Sequence, residues 1–316
     1  QSPLRFGARP PYTAPVMRNG NARGNYATMV DLTGKVVVIT GATSGIGAET
    51  ALALARMGAT IYVHGRSPRK IEAAVALIKD ATGNADVRGL SADLSDLAQV
   101  RALAATIQAQ SDRLDVLVNN AGGMLTREQT SVDGYELQFA VNHLSHFLLT
   151  RLLLGLMKDT ASRQGEARIV NLSSFVHGWG GIGWDTLGKS GRGFGAYIPS
   201  KLANLLFTYE LARRLEGSGV AANAVNPGLV ATRFGKTGNP GAMKAAMSAL
   251  IPISKSSARG AETSIYVASA PELKGVTGEY FSNCKVARSS KASHNVDDQR
   301  RLWELSEQMA DVQFPR

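Results

Sequence analysis

The chain has 316 residues, enough for one large α/β domain or two small ones. Hydrophobic residues make up 44% of it, which excludes a disordered or fibrous chain, and the single cysteine, Cys284, excludes an intramolecular disulfide. The formal net charge is +10, but no Lys/Arg-rich run or basic stripe with interleaved aromatic residues accompanies it, so we predict no nucleic-acid partner.

Residues 1–30 are predicted to form a basic N-terminal extension rich in Pro, Gly and Asn. They contain four arginines and no acidic residue, and they show no periodic apolar pattern. The sequence opens at Gln1, and an acid-free, arginine-bearing start is typical of what remains after organelle targeting. We therefore expect a mitochondrial or plastid location, with the cytoplasm as the alternative. We also expect the extension to pack on the body of the protein, on a second copy or on a larger complex.

Strands and helices alternate regularly from Lys35 onward. The predicted strands are KVVVIT, TIYVHG, ADVRGLSADL, LDVLVNNAG, ARIVNLSS and VAANAVNPG, and helical patterns such as AETALALARMG and LAQVRALAATIQAQ separate them. This alternation implies parallel strands joined by crossover helices. Residues 31–316 are thus predicted to form one α/β domain: a single Rossmann-type, doubly wound parallel sheet with helices on both faces.

Neither a membrane span nor a metal site is predicted. The longest apolar candidate, FLLTRLLLGLM from Phe147, falls short of the roughly 20 residues that a bilayer requires and is interrupted by Arg151, so it predicts a buried helix. His143 and His146 have no nearby cysteine or carboxylate at a ligand spacing.

The first strand runs directly into TGATSGIGAET, in which Gly41, Gly45 and Gly47 stand where a strand turns into a helix. Glycine permits close approach of the backbone to a diphosphate, and the start of a helix favours an anion. A glycine triplet alone is weak evidence, and the alternative is a merely tight turn. The strand–turn–helix context is the one that such a motif requires, so we predict a dinucleotide site.

The end of the second strand indicates which dinucleotide binds. Enzymes that prefer NAD commonly place an acidic residue there, whereas this chain has Gly65 followed by Arg66. A carboxylate would repel a 2′-phosphate, and an arginine can hold it with two hydrogen bonds. NADP(H) is therefore predicted over NAD, unless Arg66 is simply a solvated loop residue.

Tyr197 and Lys201 stand four residues apart in GAYIPSKLANLLF, so a helix would place both on one face. A hydride that arrives at a carbonyl carbon leaves an alkoxide that needs a proton. A nearby ammonium lowers the pKa of a tyrosine and makes it a better donor. Pro199 fits a helix that begins near Tyr197, because the first turn does not need its missing N–H.

The order of these motifs resembles the short-chain dehydrogenase/reductase family, from about Leu32 to Ala270. The matching landmarks are the Gly-x-x-x-Gly-x-Gly turn, NNAG at 119–122, Asn142, the serines of NLSS, the Tyr197/Lys201 pair and NPG at 226–228. The segments VNHLSHFLLTRLLL, SKLANLLF and GEYFSNCKVARSS resemble the retinol dehydrogenase and WW-domain-oxidoreductase branch. Cys284 lies in the last of these and is interpreted as structural.

The resemblance implies a role for each matched residue. Tyr197 is implied as the general acid/base, and Lys201 as the group that also holds the nicotinamide ribose. Ser174, rather than Ser173, is implied to bond the substrate oxygen, and Asn142 to close a proton relay through Lys201 and water. The residues implied to bind the cofactor are Gly41, Thr43, Ser44, Gly45, Ile46, Gly47, Arg66, Asp93, Leu94, Asn120, Ala121, Gly122, Tyr197, Lys201, Pro227, Gly228, Val230 and Thr232. The alternatives are a structural Asn142 and serines that only end a strand.

Two loops are predicted to contact the substrate, near 175–196 and 233–257. The first is glycine-rich and contains Trp179, Trp184 and Phe194, which suit a large apolar ligand; the alternative is an ordinary surface loop. The second carries an apolar face that includes Met243 and Met247. Together they predict a small lipophilic aldehyde, ketone or alcohol.

Two functions follow from these features. The first is an NADP(H)-dependent oxidoreductase that interconverts a lipophilic carbonyl compound and its alcohol. The alternative is an accessory subunit of a larger, organellar complex, which binds NADPH with a structural or minor catalytic role. The intact set of catalytic positions favours the enzyme.

Overall fold

A computed structural model describes residues 30–229 and 256–314. Its sheet has eight strands in the order β3-β2-β1-β4-β5-β6-β7-β8. The strands are β1 (Val36–Ile39), β2 (Thr60–Gly65), β3 (Val87–Ser91), β4 (Val116–Asn119), β5 (Ala167–Leu172), β6 (Val220–Asn226), β7 (Tyr280–Ser282) and β8 (Lys285–Val286). The helices are α1 (Gly45–Arg56), α2 (Pro68–Thr82), α3 (Leu97–Gln110), α4 (Leu137–Gln164), α5 (Phe194–Arg214), α6 (Ser257–Ser269) and α7 (Val296–Met309). The predicted extension up to residue 29, Val230, Thr232 and most of the 233–257 loop lie outside the described residues.

The sheet reverses its direction of growth between β1 and β4, since β1 pairs in parallel with both β2 and β4. In such sheets the crevice at the carboxyl ends of these two strands is where ligands bind. One pairing departs from the prediction of a parallel sheet: β8 runs antiparallel to β7 at the edge. Asn283 and Cys284 form the tight turn between them with φ of 52° and 57°, and positive φ at both central residues is characteristic of a two-residue hairpin.

Both faces of the sheet are covered, as the uninterrupted apolar strands predict. In β1, Val37 and Ile39 face the core formed with α1, α2 and α6, whereas Val36 and Val38 face the core formed with α3, α4, α5 and α7. The structure thus confirms the Rossmann-type sheet with helices on both faces.

Helix α4 runs through the second core and contains one π turn, Ala140–Leu144. Within the described residues it is the single helix that is long and apolar enough to cross a membrane by length and composition, but 72% of its most apolar window is buried in the protein. Phe147 packs its ring against Phe207 of α5 and Trp303 of α7, with centroids 5.4 and 5.2 Å apart. Here α4 is therefore a core helix.

Helix α5 begins at Phe194, three residues before the predicted start near Tyr197. Tyr197 still lies in the first turn, and its N–H donates to the carbonyl of Gly193 at 3.0 Å. Pro199 instead falls inside the helix, where it cannot donate to the carbonyl of Gly195 four residues earlier. The helix tolerates this loss because the proline lies in its second turn, close to the exposed end.

Candidate active site

A cleft of about 460 Å³ opens at the carboxyl ends of β1, β4 and β5. It brings together most of the residues predicted to form the site: Gly41, Thr43, Ser44, Gly45, Ile46, Gly47, Arg66, Asp93, Leu94, Asn120, Ala121, Gly122, Tyr197, Lys201 and Pro227. Gly228, Ser174 and Asn142 do not line the cleft but directly follow the lining residues Pro227, Ser173 and Val141, and the last two of the three are buried. A larger cavity, about 650 Å³, lies between α5, α7 and the loop before β7, and none of the predicted residues lines it.

The glycine turn is shaped by close packing as well as by the approach of a ligand. A Cβ on Gly41 would lie 2.9 Å from the Cα of Ala121, and one on Gly47 would lie 2.4 Å from Nδ2 of Asn120 and 2.6 Å from the carbonyl of Gly41. Asn120 in turn donates to the carbonyl of Thr40 at 2.7 Å. The glycines therefore let the start of α1 and the loop after β4 meet at the cleft floor.

The start of α1 fits a diphosphate. Ser44 is its N-cap residue but makes no side-chain capping bond, so the first N–H groups of the helix are left for another acceptor. The uncapped N-terminus of a helix is a favourable place for an anion. Gly41, whose φ is +65°, has no side chain that would block access to these N–H groups.

Arg66 stands at the mouth of the cleft, with its side chain 78% exposed and its guanidinium 3.5 Å from the carboxylate of Asp93. Burial tends to raise the pKa of Asp93, but hydrogen bonds from Ser95 and the charge of Arg66 together hold it below its ordinary value. An exposed ion pair contributes at most about 1 kcal/mol, so Arg66 can exchange this partner for a stronger anion.

Tyr197 is buried at the inner end of the cleft, packed with Met124 and Val176. Burial raises the pKa of its phenol above the ordinary value, and a hydrogen bond from Ser174 lowers it by less. The expected lowering of the Tyr197 pKa by the neighbouring ammonium is not found, because burial is the largest effect on the phenol and raises its pKa. The phenol is consequently a proton-bearing group at neutral pH.

Lys201 is buried beside it. Its Nζ donates to the carbonyl of Leu172 at 3.1 Å and lies 5.6 Å from the centre of the Tyr197 ring. Burial lowers the pKa of Lys201 to about 8. A small change of environment can therefore switch this group between charged and neutral near physiological pH.

The two serines of NLSS have different partners. Ser173 donates to the carbonyl of Lys201 at 2.8 Å and ties β5 to α5. The hydroxyl of Ser174 bonds the Tyr197 phenol. Nδ1 of His177 bonds the carbonyl of Ser174 at 2.5 Å, and Nε2 accepts from the N–H of Ser290, which fixes this turn against the loop before α7. Ser173 lines the cleft, but its hydroxyl is engaged with the backbone of α5, whereas the hydroxyl of Ser174 bonds Tyr197, which favours Ser174 for the predicted role.

Asn142 lies in the π turn of α4 and is held on all sides. Its amide accepts from the N–H of Gly123 at 2.9 Å and donates to the carbonyl of Gly123 and the hydroxyl of Ser200, both at 3.0 Å. Its own carbonyl receives Nδ2 of Asn204 at 3.0 Å and Nδ1 of His146 at 3.3 Å. The relay through water stays a prediction. The observed hydrogen bonds show that Asn142 links the loop after β4 to α5.

Sequence reasoning missed three polar residues that organise this site. Oγ1 of Thr40 accepts the N–H groups of Asn120 and Ala121, both at 2.9 Å, and bonds His146 at 2.9 Å. Asn204 bonds the carbonyls of Asn142 and Leu172. The available signal was a polar residue inside an apolar run, Asn204 in SKLANLLF and His146 in LSHFLL, which indicates a bonded group in the core.

The loop at 175–193 places one aromatic side chain, Phe175, against the cluster of Met124, Val176 and Tyr197. Phe175 and Trp179 meet edge to face at 5.3 Å, and Phe194 lies 6.2 Å from Trp179, which is 63% exposed. Trp184 does not join them: the guanidinium of Arg301 in α7 lies over its ring at 4.5 Å. Trp179 and Phe194 thus remain candidates for substrate contact, and Trp184 anchors the loop.

The residues that the structure describes contain no group of three or more His, Cys, Asp or Glu side chains placed to hold a metal ion. His143 and His146 instead bond to neighbouring polar groups, and burial lowers their pKa values to about 4 and about 3. Both imidazoles are therefore neutral structural groups.

Comparison with known proteins gives consistent matches. The family model described as short chain dehydrogenase matches residues 35–242. Retinol dehydrogenase 12 of Mus musculus is 43% identical over 304 residues, 96% of this chain and 94% of its own length. Retinol dehydrogenase 13 of Homo sapiens is 42% identical over 290 residues, 89% of this chain and 86% of its own.

Solved structures agree. An uncharacterized protein of Mycobacterium paratuberculosis superposes with a TM-score of 0.72 and 34% identity, covering 92% of this chain and 98% of that one. The RhlG/NADP active-site complex of Pseudomonas aeruginosa gives a TM-score of 0.64 and 29% identity, covering 79% and 95%.

Proposed function

The chain belongs to the short-chain dehydrogenase family and is retinol dehydrogenase-like, and from that membership we propose that it is an NADP(H)-dependent oxidoreductase that interconverts a lipophilic aldehyde or ketone and its alcohol. The observation that carries the proposal is the meeting of Tyr197, Ser174 and Lys201 at the inner end of a cleft whose other end is the glycine turn. Oxidation of NADPH with a panel of aldehydes and ketones tests it, and an alcohol product is expected.

In the proposed mechanism, Tyr197 transfers the single proton that the reaction requires. A nicotinamide held in this cleft would supply the hydride for reduction or accept it in oxidation. Tyr197 gives its proton to the carbonyl oxygen during reduction and takes one from the alcohol during oxidation. Ser174 donates a hydrogen bond to the same oxygen as negative charge develops on it. Lys201 stabilises the resulting tyrosinate, because a cation nearby favours the charged form of the phenol.

Residues of the cleft support NADP(H) as the cofactor. Gly41, Gly47 and the uncapped start of α1 would hold the diphosphate, and Asp93 and Leu94 would border the adenine. Arg66 would exchange its weak pairing with Asp93 for the 2′-phosphate. The Pseudomonas protein named above is described as an NADP complex, which agrees with this choice.

We predict that Arg66→Gln weakens NADPH binding by about 10- to 100-fold and leaves NADH binding unchanged. A hydrogen bond to a charged group contributes about 1.5–3 kcal/mol, and only NADPH carries the 2′-phosphate that would lose it. Fluorescence titration of both nucleotides measures the effect. Arg56→Gln, at the exposed end of α1, serves as a control for net charge. Equal losses of affinity for NADPH and NADH would show that Arg66 does not bind the 2′-phosphate selectively.

The pKa of Lys201 predicts a pH dependence. The group carries its charge below a pKa of about 8 and loses it above. Reduction needs the ammonium to stabilise the tyrosinate, so kcat/KM for reduction should fall as the pH rises through this value. Lys201→Arg, which keeps its charge, should lose this dependence even if it is slower overall. A profile whose basic limb is the same in both proteins would contradict the assignment.

The lipophilic substrate is supported by the aromatic side chains of Phe175, Trp179 and Phe194 beside the start of α5. An exposed tryptophan next to a cleft offers apolar contact area to a ligand. The matched relatives are named retinol dehydrogenases, which agrees with an apolar alcohol or carbonyl substrate. In the panel, kcat/KM should rise with the length of the apolar part of the aldehyde.

The accessory-subunit alternative depends on residues 1–30, of which only Val30 is described, and no observation of the structure favours it. The contact of that extension with a second copy or a larger complex stays a prediction, as does a mitochondrial or plastid location. Fluorescence imaging of the full chain in cells, with a size measurement on native material, tests both.

A further inference from the structure

Asn204, one turn after Lys201 on α5, is 3% exposed and has every polar atom of its side chain bonded. Nδ2 donates to the carbonyl of Leu172 at 2.9 Å and to the carbonyl of Asn142 at 3.0 Å. The Leu172 carbonyl also accepts Nζ of Lys201 at 3.1 Å. Asn204 and Lys201 thus share one acceptor at the end of β5.

The opposite side of the Asn204 amide faces His143. Oδ1 of Asn204 lies 3.3 Å from Nδ1 of His143, and Nε2 of His143 lies 2.9 Å from the hydroxyl of Ser306 in α7. An amide oxygen can only accept, so Nδ1 carries the imidazole proton, and Nε2 must accept from Ser306. His143 and Ser306 are both fully buried, so water does not replace these partners.

We propose that Asn204 is a positioning residue for Lys201: its amide holds the carbonyls of Leu172 and Asn142 in place, and His143, itself held by Ser306, keeps that amide in position from the other side. Without the Ser306 hydroxyl, Nε2 of His143 loses its buried partner, and the imidazole holds Oδ1 of Asn204 less firmly. Helix α7 thereby supports the carbonyl that accepts from the ammonium of Lys201.

Loss of the Asn204 amide should change the pKa of Lys201 in one direction, upward. Asn204 occupies part of the lone-pair capacity of the Leu172 carbonyl, which also accepts from Nζ of Lys201. Removing the amide leaves this oxygen free to accept more strongly from the ammonium, which favours the charged form of Lys201. The titratable groups that face Lys201 are Tyr197 on its own helix and His146 on α4. A change in the pKa of Lys201 is therefore interpreted together with the ionisation of Tyr197 and His146.

The inference rests on the proposed function, so its first test does not use activity. Lysine labelled with ¹³C at Cε reports the ionisation of Lys201 by NMR, with Lys201→Met used to assign the signal. Asn204→Ala should raise the pKa of Lys201. Ser306→Ala should raise it as well, by less, although Ser306 contacts neither Lys201 nor the cleft.

The second test is kinetic. Both variants should lower kcat for reduction by about 3- to 30-fold and move the basic limb of the pH profile to higher pH. Ser306→Thr, which keeps the hydroxyl, should restore the profile. Two controls each remove another buried hydroxyl group. In Thr208→Val, the lost hydroxyl bonds Asn171 and the backbone carbonyl of Asn204. In Ser264→Ala, the lost hydroxyl has no partner among the described residues. Both should keep the wild-type pKa of Lys201 and the wild-type profile.

The outcomes separate the two ideas. An unchanged pKa of Lys201 in both Asn204→Ala and Ser306→Ala would overturn the positioning role, whatever the activity. A shift of the same size in Thr208→Val or Ser264→Ala would overturn it too, because it would reflect general loosening. If both variants shift the pKa of Lys201 as expected but the wild-type protein turns over no carbonyl compound, the result would count against the proposed function alone.

Discussion

Replacing Tyr197 with phenylalanine should lower kcat for carbonyl reduction by about 10²- to 10⁴-fold and leave NADPH binding within about twofold of wild type. The substitution removes the one proton that the mechanism transfers, while the ring keeps its packing against Met124 and Val176. Steady-state kinetics measure the first quantity, and fluorescence titration with NADPH measures the second.

Two variants make this result interpretable. Tyr209 is a buried tyrosine three turns further along α5, and its hydroxyl bonds Ser289. Tyr209→Phe should therefore keep full activity. Lys201→Ala should reduce both kcat and NADPH affinity, because Lys201 is proposed to serve the tyrosine and the nicotinamide ribose. Tyr197→Phe with wild-type kcat would mean that another group supplies the proton.

Gly47→Ala should both destabilise the protein and weaken nucleotide binding. The new Cβ would press on Nδ2 of Asn120 and on the carbonyl of Gly41, at 2.4 and 2.6 Å, so the start of α1 must move away from the loop after β4. Overpacking of this kind costs about 1–3 kcal/mol of unfolding free energy. Thermal unfolding and NADPH titration measure the two effects.

Gly155→Ala is the matched control, because Gly155 also lies in a helix and a Cβ there meets nothing within 4 Å. Alanine is the better helix former, so this variant should be as stable as wild type or more stable by about 0.5–1 kcal/mol. A Gly47→Ala protein with unchanged melting temperature and NADPH affinity would show that the close packing at the cleft floor is not required.

Much of the sheet was predictable because parallel strands buried on both faces read as continuous apolar runs. KVVVIT and TIYVHG became β1 and β2 with little change. The β7–β8 hairpin was not predicted. Its strands have three and two residues, too few to show a period, and its turn places Asn283 and Cys284 rather than glycine at positive φ.

The site was predictable where residues are close in the chain and not where several elements meet. Tyr197 and Lys201 share a helix face by spacing alone. The environment of Asn204 is formed by β5, α4 and, through His143, α7, and Ser306 is more than one hundred residues away in sequence. The direction of the Tyr197 pKa was also missed, since burial is a property of the folded chain.

The substrate loop shows the same limit. Its composition identified three aromatic side chains, but only the fold could separate Trp179 and Phe194, whose rings lie near each other, from Trp184, which packs under Arg301. A pattern of residue types gives the chemistry available to a loop, and the partner of each side chain depends on the elements packed against it.

Isotope transfer tests the central claim most directly. The wild-type protein is incubated with NADPH that carries deuterium at the transferable position of nicotinamide C4 and with a long-chain aromatic aldehyde, and the product is analysed by mass spectrometry. We predict an alcohol with one deuterium on the former carbonyl carbon, formed in a one-to-one ratio with NADP⁺, and none with Tyr197→Phe at the same exposure. NADPH that stays bound and unoxidised with every aldehyde, or an alcohol without deuterium, would contradict the assignment of this cleft as a hydride-transfer site.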